Sequence, residues 1–94
     1  MKAEKNQLVF VEWEDSYGCS SRWQEINPEG EPRVLLCHSV GWIIQKTRRC
    51  IVVVPHITAG EGVVTRQGCG DMTIPTAAIR QLVPISLPRQ KRLA

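Results

Sequence analysis

Residues 33–57 hold two apolar runs, RVLLCHSVGWIIQ and CIVVVPHI, separated by the polar tetrapeptide KTRR. Both runs are rich in aliphatic and β-branched side chains. A short polar break between two such runs reads as a β-hairpin. A hairpin of this length commits the chain to a sheet that the remaining residues must cover. With the turn centred on Thr47 and Arg48, facing residues have numbers that sum to 95. Side chains alternate along a strand, so this register sorts them into two faces. One face carries Val34, Leu36, His38, Val40, Trp42 and Ile44 with Ile51, Val53, Pro55 and Ile57. The other carries Leu35, Cys37, Ser39, Gly41, Ile43 and Gln45 with Cys50, Val52, Val54 and His56. The first set is bulkier and is assigned to the core. The second leaves Leu35, Ile43, Val52 and Val54 in need of cover by a second layer, the long loop or another subunit. Gly41 inside a strand indicates a sharp bend or bulge. Pro55 has no amide hydrogen to give and places its strand end at an edge or a bulge.

Upstream, LVFVEWED (Leu8–Asp15) alternates Val9, Val11 and Trp13 with Phe10, Glu12 and Glu14, the period of a half-buried strand. Residues 16–32 are rich in Gly, Ser, Asn, Pro and Glu and form a long loop, pinned to the body by Trp23 and Ile26. Downstream, residues 58–70 form a second loop with glycines at 60, 62, 68 and 70, in which Val63 and Val64 suit a short strand. A short strand over 71–74, one helical turn over 75–79 opened by Pro75, and a last strand over 80–85 complete the chain, with Leu82 and Val83 the inward candidates. The order is strand, long loop, strand–turn–strand, loop, strand, helical turn, strand. It predicts a mainly β fold, a small five-stranded SH3-like or Sm-like barrel spanning residues 8–85. Residues 1–7 are then a flexible N-terminus and 86–94 a basic flexible tail with Arg89, Lys91 and Arg92.

A chain of 94 residues makes one domain with a modest core. A domain this small buries only about 60–65% of its unfolded surface, and self-association is a natural remedy. No apolar run reaches the roughly 20 residues of a membrane-spanning helix. The start, MKAEKNQ, lacks the apolar stretch of a signal peptide, so a cytosolic protein is expected. Four cysteines, at 19, 37, 50 and 69, form no CxxC pair and are expected to be free thiols.

Several chemistries can be weighed on particular residues. Zinc would need ligands at close spacing, which are lacking. Cys37 and His56 share a face in the assumed register, but two ligands make no structural site. No residue near a cysteine signals an activated thiolate. Asp15 and Asp71 stand at strand ends, where a solvated carboxylate is the plain interpretation. No phosphate-cradling GxxxxGK motif occurs. No catalytic residue, cofactor or metal is therefore assigned. Lys46, Arg48 and Arg49 crowd the hairpin turn and Arg66 lies on the glycine loop. With Tyr17 and Trp23 as stacking rings, and Phe10 beside them, they make a candidate surface for nucleic acid or a small phosphorylated nucleotide. Protein–protein assembly through Leu35, Ile43, Val52 and Val54 ranks ahead of it, because edge pairing into dimers or rings also removes exposed edges.

The segments VEWEDS, CHSVGW, VVPH and GDMTIPTAAI, spread from Val9 to Leu82, resemble a family of small uncharacterised proteins of tailed phages and prophages. The resemblance implies expression inside an infected bacterium and supplies no activity and no catalytic residues. Together these readings describe a non-enzymatic phage accessory protein of the host cytoplasm. It would act by binding, as a homo-oligomer or with a host or phage protein. A basic-patch binder of nucleic acid or nucleotide is the alternative.

Overall fold

Val9 and Val11, two residues apart, point to one face of the first strand, β1 (Leu8–Asp15), and are buried there. In the computed structural model, which describes residues 6–18, 21–23, 32–59 and 66–88, six further strands follow. They are β2 (Leu35–Lys46), β3 (Cys50–Val54), β4 (His56–Ile57), β5 (Gly68–Cys69), β6 (Met72–Pro75) and β7 (Ile79–Pro84). A 3-10 turn over Thr76–Ala78 joins β6 to β7. The fold is mainly β, built on a five-stranded antiparallel sheet in the order β6-β3-β2-β1-β7. This sheet is not closed into a barrel: β6 and β7 are its two edges. β4 and β5 form a separate two-stranded sheet. Among the described residues no helix is long and apolar enough to cross a membrane.

The hairpin forms where expected, but its faces are sorted differently. Thr47 closes the turn with Cys50, its amide donating to the Cys50 carbonyl at 2.9 Å. The Thr47 hydroxyl also accepts from the Arg49 and Cys50 amides, each at 3.2 Å. The loop is therefore Arg48 and Arg49, one residue later than the assumed centre. Gln45 faces Val52 and Lys46 faces Ile51, and then an extra residue at Ile44 shifts the register. Beyond this bulge Ile43 faces Val53 and Trp42 faces Val54. Directly opposed residues share a face, so Ile43 joins Ile51 and Val53 inside.

The core is accordingly Val9, Val11, Ile43, Ile51, Val53 and Ile74, with Trp13, Ile79 and Leu82 packed against it. Ile43 is 0% exposed, which corrects its assignment to a partner-facing surface. Val34, Leu36 and Val40, assigned to the core, are exposed, and Trp42 and Ile44 are half-buried. Val54 is also fully buried, outside the core cluster. Its methyl groups lie 3.3 Å from where a Gly68 side chain would begin, so the β4–β5 sheet is the second layer that covers it.

Gly41 does not mark the bulge, which falls three residues later. A Cβ here would stand 2.8 Å from the Val54 carbonyl oxygen, so glycine allows β3 backbone to approach β2. β3 ends at Val54 and the chain bends at Pro55. Leu82 faces inward opposite Val11, whereas Val83 is exposed opposite Phe10. Trp23 pins nothing: it is 103% exposed. Cys19, Ile26, Val63, Val64, Arg89, Lys91 and Arg92 lie outside the described residues.

Candidate interaction surface

The alternation that buries Val9, Val11 and Trp13 turns Leu8, Phe10, Glu12 and Glu14 to the other face of the sheet. Register continues this face in rows. Val40 of β2, Phe10 of β1 and Val83 of β7 form one row; His38, Glu12 and Gln81 form the next. Leu36 stands opposite Glu14, which pairs with Arg80 at 3.6 Å. Within the second row, His38 Nε2 lies 2.9 Å from Glu12 Oε2. The His38 ring also tilts against Phe10 at 5.1 Å between centroids. The polar pair thus sits inside an apolar surface whose outermost members, Leu36 and Val40, are 46% and 54% exposed. On the inner face, by contrast, Trp13 Nε1 donates to Ser39 Oγ at 3.0 Å and keeps its polar end satisfied.

The four residues expected to face a partner part company. Leu35 is exposed, Val52 is half-buried, and Ile43 and Val54 are sealed inside. Leu36, Val40 and Val83 are the exposed apolar residues of the outer face, with Phe10 half-buried among them. The alternation in LVFVEWED already put Phe10 on a face of its own. What the sequence could not supply was the register that sets Val40 beside it.

The basic residues do not form one cluster. Arg48 and Arg49 are exposed at the hairpin tip, and neither side chain has an ion pair among the described residues. Lys46 is exposed at the end of β2, opposite Ile51. Arg66 lines a cleft of about 400 Å³ with Asn6, Ile44, Ile57, Gln67 and Gly68. Comparison with family models, with characterised proteins and with solved structures brings no significant match. The aromatic candidates are likewise separate. Tyr17 is stacked under the Arg33 guanidinium, 4.4 Å from its centroid, and its hydroxyl accepts from Arg33 Nη2 at 2.7 Å. One face of the ring is thus covered within the chain, while the residue as a whole stays 52% exposed.

Among the described residues no three His, Cys, Asp or Glu side chains are grouped to hold a metal ion. Cys37 faces Trp13 in the large sheet, whereas His56 faces Cys69 in the small one. The face shared by Cys37 and His56 in the assumed register does not form. Cys37, Cys50 and Cys69 are free thiols.

Proposed function

We propose that this chain is a binding module that works by self-association, through the surface of Leu36, Val40, Phe10 and Val83. The observation that carries this reading is the exposure of Leu36 and Val40 on an otherwise ordered strand. Exposed apolar side chains on one sheet face mark an interaction site; here Val40 and Val83 flank Phe10, and Leu36 stands beyond the row of His38, Glu12 and Gln81. Covering them on two copies adds apolar burial to the small core formed by the described residues. The strand order, with a 3-10 turn before the last strand, supports an SH3-like or Sm-like ancestry for the open sheet. The resemblance to tailed-phage and prophage proteins supports a role in the cytoplasm of an infected bacterium. Its segments fall on β1, β2, the β3–β4 junction and β6 with the turn into β7.

Light scattering coupled to size exclusion tests the reading. Over a micromolar concentration series the particle is expected to exceed the mass of one chain. A particle of single-chain mass throughout would overturn self-association.

A second reading rests on Arg48 and Arg49, two cations without ion-pair partners among the described residues, on a tip held by Thr47. Such a tip can meet phosphates of nucleic acid or of a nucleotide. On a polynucleotide column, retention is expected to fall steeply with salt, as counterion release requires. The double variant Arg48→Ala with Arg49→Ala is expected to elute earlier. Unchanged elution removes the hairpin tip from consideration.

A further inference from the structure

We propose that the second copy binds edge to edge, its β2 pairing antiparallel with β2 of the first. This inference rests on the self-association reading and assigns its contact to the Leu36–Val40 margin of that surface. The Ile43 amide donates to the Gln7 carbonyl at 2.9 Å, and the Ile43 carbonyl accepts from the Asn6 amide at 2.6 Å. Ile43 therefore turns its backbone groups toward β1. In an antiparallel ladder alternate residues do so, and the β1–β2 register is unbroken from Leu35 to Trp42. Leu35, Cys37, Ser39 and Gly41 follow Ile43. Leu36, His38 and Val40 turn their N–H and C=O groups the other way.

On that side β3 pairs only with residues from Trp42 onward. Among the described residues no strand on that side is paired with residues 35–41. The lane that β3 would fill, had it continued past the bend at Pro55, holds a cleft of about 220 Å³ lined by Ser39, Val40, Val53, Pro55, Gly70 and Met72. The other two edges of the large sheet are guarded. β6 is four residues long and ends in Pro75; β7 carries Arg80 and ends in Pro84. Charge and proline are the usual devices that keep strand edges from pairing. Residues 34–44 contain no Lys, Arg, Asp, Glu or Pro.

An identical strand suits this edge. Laying residues 35–41 of one copy along the same residues of another places His38 opposite its own twin. Leu36 then faces Val40 of the second copy, twice by symmetry, as an isologous contact requires. Every outward-turned residue meets an outward-turned residue, so the three pairs close about six hydrogen bonds. The same register joins the exposed Leu36 and Val40 of both copies on one face, beside Phe10. Each central histidine lies 2.9 Å from its own Glu12, so each copy brings a hydrogen-bonding partner for the ring to the seam. No foreign sequence has to be invoked to match the pattern.

The register makes a sharp prediction. Directly opposed residues in a hydrogen-bonded antiparallel pair have Cα atoms about 5.5 Å apart, inside the range that a disulfide spans. The double variant Leu36→Cys with Val40→Cys is therefore expected to give a covalent dimer on mild oxidation, seen on a non-reducing gel. Each single variant is expected to give none beyond the level of the unmodified chain. In a companion variant, Val40→Lys puts a charge on the open edge and is expected to weaken association at least tenfold with an unchanged strand circular-dichroism spectrum. A dimer by light scattering that neither cross-links nor responds to Val40→Lys would overturn edge pairing and leave self-association standing. Particles of single-chain mass at all concentrations would overturn both.

Discussion

Ile43→Ala is expected to lower folding stability by about 2–5 kcal/mol, whereas Ile44→Ala costs about 1 kcal/mol. The two residues are chemically identical neighbours, so propensity cannot separate them. Position does. Ile43 is fully buried among Val9, Val11, Ile51, Val53 and Ile74, and truncation leaves a cavity that two adjoining strands cannot collapse into. Ile44 is the extra residue of the bulge, half-buried at the rim of the cleft that Arg66 lines. Urea titration followed by tryptophan fluorescence gives both values. Equal losses, or a larger loss at Ile44, would mean that the register runs without the bulge and that the faces of β2 are exchanged.

Gly41→Ala is the second large effect, an expected loss of about 2–3 kcal/mol from a single added methyl group. In an ordinary strand this change is favourable, since alanine loses less backbone entropy than glycine. Here the new Cβ would lie 2.8 Å from the Val54 carbonyl oxygen and 3.1 Å from its carbon. Both are backbone atoms, so no side chain can rotate out of the way. Relief requires β3 to move off β2, and Val53 and Val54 are both buried against other parts of the structure. The same titration measures the cost. A neutral or stabilising Gly41→Ala would show that the two backbones stand farther apart than this geometry has them.

The legible parts of the fold were those written in alternation. LVFVEWED marked out β1 and its inner residues Val9, Val11 and Trp13, because Glu12 and Glu14 fix which of the two alternating sets faces water. The hairpin and the turn after Pro75 were also legible, from the polar break and the proline. Which face of β2 turns inward was not. Its two faces are both mostly apolar, so composition offers no contrast. The answer depends on where the Thr47 hydroxyl closes the turn and on one inserted residue beside two consecutive isoleucines. That single step moved Ile43 from the proposed partner surface to the core and brought Leu36 and Val40 out. Tryptophan burial failed for another reason: Trp13 and Trp42 pack within strands, while Trp23 belongs to a loop with no strand to place it. The basic residues were identified by type, yet loop geometry separates Arg66 from Arg48 and Arg49.

β2 is twelve residues long and β3 five. The shorter strand cannot saturate the longer one, and the bend at Pro55 fixes where it stops. One imino acid therefore sets how much of the β2 edge β3 leaves without a hydrogen-bonding strand. A substitution there that let the polypeptide run straight would extend the β2–β3 ladder toward Leu35. In this design, the length of the open edge is the difference between two strand lengths.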